Sequence, residues 1–376
     1  MRGLYVHVPF CARACPYCDF DFEVGRRPAI DAYLAGLEAE ARARALDPAA
    51  FSTIYVGGGT PSLLGAPGIA ALFAWIRGRF PGSGEVEVTI EANPEHVDDA
   101  LLAALTDVGA TRLSLGVQTF DPAGLRSLGR VHTPAAAAAA ITAAARRGLQ
   151  VSADLIVGWP GQTADSLGAD IDQLLAAGAG HASIYALTIE SGTPWPRLVR
   201  RGLRVLPDAD HQAEMLALAE AALTSAGLCH YEVASYGAAG AEARHNLLYW
   251  RFADYVGLGP SAHSATYAGD GAVVRRGNPR GLSSWLAGDA PEIEALTPLA
   301  AAIEGLWLGL RVLDGLAIGD YLARFVAVDR AWIERRIARQ VELGNLEWID
   351  DGARLRVAPG RWLWHDAIAG DLLAAP

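Results

Sequence analysis

Three of the four cysteines lie close together near the start of the chain. Cys11, Cys15 and Cys18 form a CxxxCxxC pattern within the segment HVPFCARACPYCDF. Three thiolates on one short loop can hold three irons of a [4Fe-4S] cluster, which leaves the fourth iron without a protein ligand. The spacing therefore predicts a cluster site whose open iron is available for chemistry.

Two other interpretations of the cysteine loop have to be weighed. A zinc site could use His7 as its fourth ligand, but zinc sites usually combine one CxxC pair with a second distant pair, which this sequence lacks. A disulfide is disfavoured because the chain opens MRGLYVHVPF, without the charged and then apolar signal segment that leads to an oxidising compartment. We therefore expect a cytoplasmic protein.

The composition is typical of a globular chain with one large α/β domain and a smaller one. Of its 376 residues, 52% are hydrophobic and 19% are charged, and no strongly apolar run is long enough to predict a membrane span. The net charge of -11 argues against nucleic-acid binding, which needs a basic face. All 31 basic residues are Arg, so Schiff-base and pyridoxal-phosphate lysine chemistry are excluded.

The chain up to about residue 235 alternates short β-branched runs with helical stretches, which predicts six βα units and a parallel sheet. The predicted strands are 4–8, 53–56, 86–92, 112–117, 151–157 and 182–189. The predicted helices are 30–46, 67–78, 98–108, 134–147, 164–176 and 209–226. Such units can close an eight-stranded barrel, open into a doubly wound sheet or stop as a six-unit partial barrel, and the pattern does not choose among them.

Two further segments follow the predicted barrel domain of residues 1–235. Residues 236–290 form a connector rich in Gly and aromatic residues, which we expect along the open side of the barrel. Residues 291–376 predict three helices and a hairpin, the order of a winged-helix-like α+β domain. This domain holds 13 acidic residues and 9 Arg, a charge of 9 − 13 = −4, which favours docking of a substrate or a protein over DNA binding.

Polar and glycine residues follow several predicted strands, at the ends where α/β proteins place their sites. The segment Gly57–Thr60 offers bare backbone that a ligand could approach closely. Glu91 and Gln118 end two further strands. Asp154 interrupts an apolar strand, where a buried carboxylate needs a partner or a ligand. Arg130 could pair with a cofactor carboxylate or face solvent.

Six segments together resemble one branch of the radical S-adenosylmethionine superfamily, the branch that contains oxygen-independent coproporphyrinogen oxidase and a haem chaperone. The segments are HVPFCARACPYCDF, YVGGGTPSLL, IEANPE, LSLGVQTFD, GRVHT and DLIVGWPGQT. The resemblance runs nearly end to end and implies a partial (βα)6 TIM-like barrel, a [4Fe-4S] cluster on the three cysteines, and S-adenosyl-L-methionine. The positions that match the branch's S-adenosylmethionine contacts are Tyr5, Tyr17, Gly58, Gly59, Thr60, Glu91, Gln118, Arg130, Asp154 and Ala186.

Three features favour the chaperone within this branch. The oxidase pattern has a further Cys two positions after the third, and this chain has Phe20 at that position. The oxidase also has a long segment before its first strand, whereas only four residues precede Tyr5 in this sequence. The third feature is HNxxYW, which resembles the chaperone's haem-binding motif. It implies His245 as an axial haem ligand, with Tyr249 and Trp250 as flat faces for the porphyrin.

The resemblance thus implies a haem chaperone that binds the cluster, S-adenosylmethionine and haem and delivers haem to acceptor haemoproteins. Membrane-bound respiratory proteins are candidate acceptors, and peripheral membrane contact is compatible with this role. The alternatives are radical decarboxylation of coproporphyrinogen and a zinc-dependent barrel hydrolase. Whether S-adenosylmethionine is cleaved stays open. His263 is a weaker candidate for cofactor contact and Cys229–His230 for haem attachment, with ordinary packing as the alternative for both.

Overall fold

The computed structural model describes residues 2–25, 28–48, 51–81, 84, 86–269, 271–326 and 329–373. A twelve-stranded sheet contains six neighbouring parallel strands, which confirms the predicted partial barrel of βα units. These strands are β1 (Arg2–Val8), β4 (Thr53–Gly58), β5 (Glu87–Ala92), β6 (Arg112–Gln118), β7 (Gln150–Val157) and β8 (His181–Ala186). Two short strands after β1, β2 (Phe10–Cys11) and β3 (Glu23–Val24), pair with each other.

Helices connect the parallel strands and cover the sheet. They are α1 (Ile30–Ala43), α2 (Gly65–Arg79), α3 (Asp99–Asp107), α4 (Pro122–Ser127), α5 (Pro134–Arg146), α6 (Ala164–Ala177), α7 (Trp195–Arg200) and α8 (Ala209–Ser225). The side chains of Asp98, Thr133, Thr163 and Asp208 accept hydrogen bonds from first-turn amides of α3, α5, α6 and α8. Each of these helices therefore begins where a short polar side chain satisfies an otherwise unpaired amide.

An apolar core lies between the parallel strands and these helices. Leu4, Val56, Ile90, Leu115 and Leu155 come from five successive strands, and each is at most 1% exposed. The strand β8 is shorter than predicted and ends at Ala186 rather than near position 189, because the chain turns away there. This core holds the carboxyl ends of the strands in fixed positions around the barrel axis.

The segment predicted as a connector forms strands that extend the sheet beyond β1. The strand β11 (Asp254–Leu258) pairs with β1 in parallel, and three antiparallel strands follow it, β12 (His263–Tyr267), β13 (Val273–Gly277) and β14 (Glu292–Leu296). At the other edge, β9 (Cys229–Glu232) and β10 (Ser235–Gly237) pair with β8. Two short helices, α9 (Arg244–Trp250) and α10 (Leu282–Leu286), lie between these strands. The domain boundary predicted near residue 290 falls just before β14.

The C-terminal segment has a separate apolar core, to which Leu306, Ile333 and Leu355 contribute. Its elements are α11 (Pro298–Gly309), β15 (Leu316–Ala317), α12 (Ile318–Arg324), α13 (Arg330–Glu342), β16 (Leu346–Ile349), β17 (Arg354–Val357) and α14 (His365–Leu373). Phe252 belongs to this core and joins it to the segment before β11. The winged-helix comparison stays a prediction. Among the described residues, no helix combines the length and apolar character needed to cross a bilayer.

Candidate functional site

The three cysteines of the CxxxCxxC segment lie at the mouth of the barrel. Cys11 is the last residue of β2. Cys15 and Cys18 are joined by a tight turn, in which the Cys18 amide donates a 3.2 Å hydrogen bond to the Cys15 carbonyl. None of the three forms a disulfide, and all of them border one cavity of about 720 Å³. This cavity passes the carboxyl ends of the parallel strands and reaches into the barrel interior.

Two polar side chains approach the sulfur atoms. The Thr60 hydroxyl is 3.3 Å from Cys11 Sγ, and the Arg130 guanidinium donates to Cys15 Sγ at 3.7 Å. Arg130 is held in place by Asn93 Oδ1 at 2.6 Å and the Gly116 carbonyl at 2.8 Å. Donors at these positions stabilise negative charge on sulfur.

His7 is not available as a fourth metal ligand. Its Nε2 donates to the Asp21 carbonyl oxygen at 2.9 Å, and its Nδ1 accepts from the Tyr5 hydroxyl at 3.1 Å. No three His, Cys, Asp or Glu side chains within the described ranges form a site for a single metal ion. The engagement of His7 disfavours the zinc alternative, since a tetrahedral site needs a converging fourth donor.

Close packing within the chain explains in part why glycines occupy the last two positions of β4 and the position that follows it. A Cβ atom on Gly57 would lie 2.9 Å from the Glu91 carboxyl, and one on Gly59 would lie 2.8 Å from the Phe10 carbonyl oxygen. Gly58 has φ +111, and a Cβ there would lie 2.6 Å from the His7 ring. The close approach of β4 to the cysteine loop thus requires glycine. Gly58 and Gly59 also border the cavity, and their contact with a cofactor stays a prediction.

The Glu91 carboxylate lies on the cavity wall with two donors. The Tyr55 hydroxyl donates to its Oε1 at 2.7 Å and the Gly58 amide to its Oε2 at 3.0 Å. Burial raises the pKa of Glu91 to about 7, against the opposing effect of the Tyr55 hydrogen bond. Glu91 can therefore gain or lose a proton near neutral pH, and its ionised form offers an acceptor to a cationic ligand.

Removal of this carboxyl is expected to change the pH dependence of stability. The pKa of Glu91 is higher in the folded protein, about 7, than the ordinary value of 4.5, so the folded state binds the proton more tightly and stability falls as pH rises between these values. We expect Glu91→Gln to raise the free energy of unfolding at pH 8 by at most about 3 kcal/mol, because the cavity admits water, and to change it little at pH 4. Urea unfolding of the cofactor-free protein between pH 4 and pH 8 measures this difference.

Glu95 provides a control for this experiment, because its pKa is shifted in the direction opposite to that of Glu91. Its pKa is lowered to about 2, because the His132 ring, whose Nδ1 lies 3.5 Å from the carboxylate, and the nearby Arg130 charge outweigh the effect of burial. Its stabilising contribution is present above the ordinary pKa of 4.5 and is lost as pH falls towards 2. Glu95→Gln should therefore lower stability at pH 8. An unchanged pH profile in Glu91→Gln would contradict the assignment of the raised pKa.

Asp154 and Gln118 contribute two further polar groups to the cavity wall. The Asp154 carboxylate accepts hydrogen bonds from Ser114, at 3.3 Å, and from Ser183, and burial raises its pKa to about 6. Gln118 has φ +67, and the pairing of β6 with β7 shifts between Leu115 and Gln118. Such backbone strain in a residue other than glycine is concentrated at functional sites.

The structure brings most of the predicted S-adenosylmethionine contacts to the cavity that the cysteines border. The residues on its wall are Tyr17, Gly58, Gly59, Thr60, Glu91, Gln118, Arg130, Asp154 and Ala186. Tyr5 is the exception, since it borders a second cavity and bonds His7. The role of each residue towards the cofactor stays a prediction.

His245 is buried with both ring nitrogens hydrogen-bonded, and its role as an axial haem ligand stays a prediction. It is 1% exposed, its Nδ1 shares a 2.7 Å hydrogen bond with Thr53 Oγ1, and its Nε2 shares one of 2.7 Å with the Tyr249 hydroxyl. Burial lowers its pKa to about 3, so the ring is neutral. The geometry is that of a buried histidine with both nitrogens satisfied, which is the alternative to ligation. Its neighbour Asn246 does border the barrel cavity.

Sequence reasoning missed Arg112, which lies deep in the same cavity. Arg112 is 2% exposed, and its guanidinium donates to the Ala241 carbonyl at 2.8 Å. Its positive charge acts on the Asp154 carboxyl of the same cavity and lowers the pKa of that group against the larger effect of burial. The signal in the sequence is a charged residue at the start of the otherwise apolar run Leu113–Val117. A guanidinium in this environment favours an anionic group of a ligand.

The residues present fit the two cofactors that the sequence implies. Three thiols with no disulfide partner are soft donors of the kind that hold iron–sulfur clusters. The adjoining cavity presents the Glu91 carboxyl and the Arg130 guanidinium, which are of opposite charge. An amino acid group, with one ammonium and one carboxylate, can pair with both.

Comparisons with known proteins agree with this fit. Residues 5–174 match the model of the Radical SAM superfamily. The chain is 40% identical to the haem chaperone HemW of Mycobacterium tuberculosis, over 99% of this chain and 94% of that relative. It is 33% identical to the haem chaperone HemW of Lactococcus lactis, over 86% and 85%, and 36% identical to that of Escherichia coli, over 73% and 72%.

A solved structure shows the same fold. The coproporphyrinogen III oxidase HemN of Escherichia coli, a radical SAM enzyme, is similar with a TM-score of 0.83 and 23% sequence identity, covering 99% of this chain and 89% of that one. The fold similarity extends over both the barrel and the C-terminal segment. Together with the sequence identity to the HemW relatives, these findings show that the chain belongs to the haem chaperone HemW family within the radical SAM superfamily.

Proposed function

We propose that this protein is a haem chaperone that holds a [4Fe-4S] cluster and S-adenosylmethionine and delivers haem to acceptor haemoproteins. The observation that carries the proposal is 40% identity to a haem chaperone along 99% of the chain. The cysteine loop and the adjoining cavity support it, because they offer the donors that these cofactors need. Respiratory haemoproteins, including membrane-bound ones, are the acceptors that we would test first.

Cys11, Cys15 and Cys18 would hold the cluster, which supplies a redox-active iron with an open coordination position. Arg130 is fixed by Asn93 and Gly116 and places its positive charge beside Cys15. Glu91 accepts hydrogen bonds from Tyr55 and Gly58. These contacts fix one cation and one carboxylate at the cavity wall, where they can orient the amino acid part of S-adenosylmethionine before any reaction.

Phe20 supports the chaperone over the oxidase as the function of this chain. It stands where the oxidase pattern has a fourth Cys, and its side chain is 66% exposed. It borders both the barrel cavity and the second cavity beside Tyr5. The likeness to the oxidase structure at 23% identity concerns the fold and carries no activity with it.

Two assays on one preparation test the proposal. The protein is reconstituted anaerobically with iron and sulfide, loaded with haem and mixed with an apo-haemoprotein, and the absorbance of the acceptor reports haem transfer. The same preparation is incubated with coproporphyrinogen, S-adenosylmethionine and a reductant. We expect haem transfer without formation of protoporphyrinogen. Protoporphyrinogen formation, or a failure to take up haem, would overturn the chaperone assignment.

A further inference from the structure

A second cavity, which we call the aromatic cleft, lies between the antiparallel strands and the C-terminal segment. Its volume is about 750 Å³, within the range of ligand sites. One face of β12 supplies part of its surface, because His263, Ala265 and Tyr267 alternate along the strand and all border the cleft. On β13, Gly277 lies opposite His263 and Arg275 lies opposite Ala265. Ala265 carries only a methyl group and Gly277 has no side chain, so the surface between the larger residues is flat. We call this flat surface of β12 and β13 the floor of the cleft.

Aromatic side chains from three other elements, α9, β11 and α11, form the walls of the aromatic cleft. Tyr249 and Trp250 come from α9 and are the last two residues of HNxxYW. Tyr255 packs edge-on against Tyr249 with ring centroids 4.7 Å apart, and Trp307 comes from α11. Flat aromatic walls around a flat floor suit a planar apolar ligand.

His263 differs from every other histidine of the chain. Of the nine histidines, each of the others makes a hydrogen bond or ion pair through its ring, whereas His263 makes none to any residue that the structure describes. Its ring is exposed and lies over Gly277, where a Cβ atom would be 3.0 Å from Cε1. Glycine at position 277 therefore makes room for an imidazole whose nitrogens remain available for a metal.

The charges around the aromatic cleft are mixed. Arg280 is exposed at its edge and donates to the Asp19 carbonyl at 3.3 Å, which leaves most of its donors available for an anionic group. Arg275 is engaged by Glu304 at 2.5 Å. Asp21 accepts hydrogen bonds within the protein, from the Ser261 hydroxyl and the Gly281 amide. A ligand with carboxylates at one edge fits with that edge towards Arg280.

We propose that the aromatic cleft is the haem site, with the macrocycle between Tyr249, Trp250 and the β12–β13 floor and with His263 as an axial ligand of the iron. The proposal rests on the haem chaperone function and specifies its binding site. The HNxxYW motif then contributes its two aromatic residues to haem contact, while His245 anchors α9. Asp19 and Phe20, directly after the third cysteine, border both the cleft and the cluster cavity.

Haem titration of the full chain, followed by absorbance in the Soret region, tests this site. We expect His263→Ala to weaken haem binding at least tenfold and to shift the Soret band, because the axial nitrogen is lost. Added imidazole should restore the band in His263→Gly, since a free ligand can occupy the vacated space. His211→Ala, which removes a histidine of α8 away from the cleft, is the matched control and should bind haem as the wild type does.

A second variant tests the floor without removing a ligand. Gly277→Leu fills the space under the His263 ring and should also weaken haem binding, while its cluster absorbance and thermal unfolding stay close to those of the wild type. Wild-type spectra and affinity in His263→Ala would overturn the proposed site, as would a loss that imidazole does not restore. Absence of haem uptake by the wild type would contradict the chaperone function itself, so the two failures are distinguishable.

Discussion

Replacement of Cys11, Cys15 or Cys18 by Ala, one at a time, is expected to reduce the cluster content of the reconstituted protein to background. Each thiolate would hold one iron, and a cluster with two protein ligands and two open irons is exposed to loss of iron. All three thiols border the same cavity, and none is tied up in a disulfide. Iron and sulfide analysis after anaerobic reconstitution measures the effect.

The fourth cysteine provides the matched control. Cys229 is exposed on β9 and borders a different cavity from the other three. Cys229→Ala should therefore keep the full iron and sulfide content. Wild-type iron content in any of the three loop variants, or its loss in Cys229→Ala, would contradict the assignment of the cluster to the CxxxCxxC loop.

Replacement of Glu87 by Ala is expected to lower the free energy of unfolding by about 3 kcal/mol. Glu87 is 3% exposed at the start of β5, and its two carboxylate oxygens accept from the amides of Arg244 and His245, each at 2.9 Å. These are first-turn amides of α9, whose N-cap, Ala243, has no side chain that could cap them. The substitution leaves one buried and one partly buried amide without acceptors and removes a negative charge from the positive end of the helix.

Chemical unfolding of the wild type and two variants measures this contribution. Glu87→Gln has nearly the same shape but keeps only one acceptor oxygen and no charge, so we expect about half of the loss seen in Glu87→Ala. Because α9 carries Tyr249 and Trp250, both variants should also weaken haem binding. If Glu87→Ala unfolds like the wild type, the carboxylate does not stabilise α9.

The parallel strands were predictable because their signal is local. The runs around Ile54, Leu115 and Leu155 are apolar and β-branched, and the helical segments between them predict crossovers. The segment after residue 235 lacks such a signal, since its glycines and aromatic residues suit both a loop and a strand. Gly257 is glycine because the backbone of His263 passes within 2.0 Å of where its Cβ would be. That requirement arises only when β11 and β12 pair.

In the candidate site, too, some residues could be identified from the sequence, whereas other residues and properties depend on the tertiary structure. Glu91 and Asp154 were identified from their places in strands, yet their pKa values of about 7 and 6 follow from burial beside Tyr55 and Ser114. Arg112 was missed, because an arginine at a strand start is usually exposed, and only closure of the barrel brings it into the cavity.

The sequence alone determined the cofactor class, because three cysteines within eight residues lie close together in any fold of the loop. It also determined the βα pattern, through residues that are neighbours along the chain. Tertiary structure alone decided the state of His245, whose ring bonds Thr53, a residue 192 positions away. It likewise decided that His263 faces a cleft with Tyr249 and Trp250, since strand pairing and helix packing bring these distant residues together. Spacing along the chain specifies which donors are present, whereas long-range packing decides which of them remain free to bind.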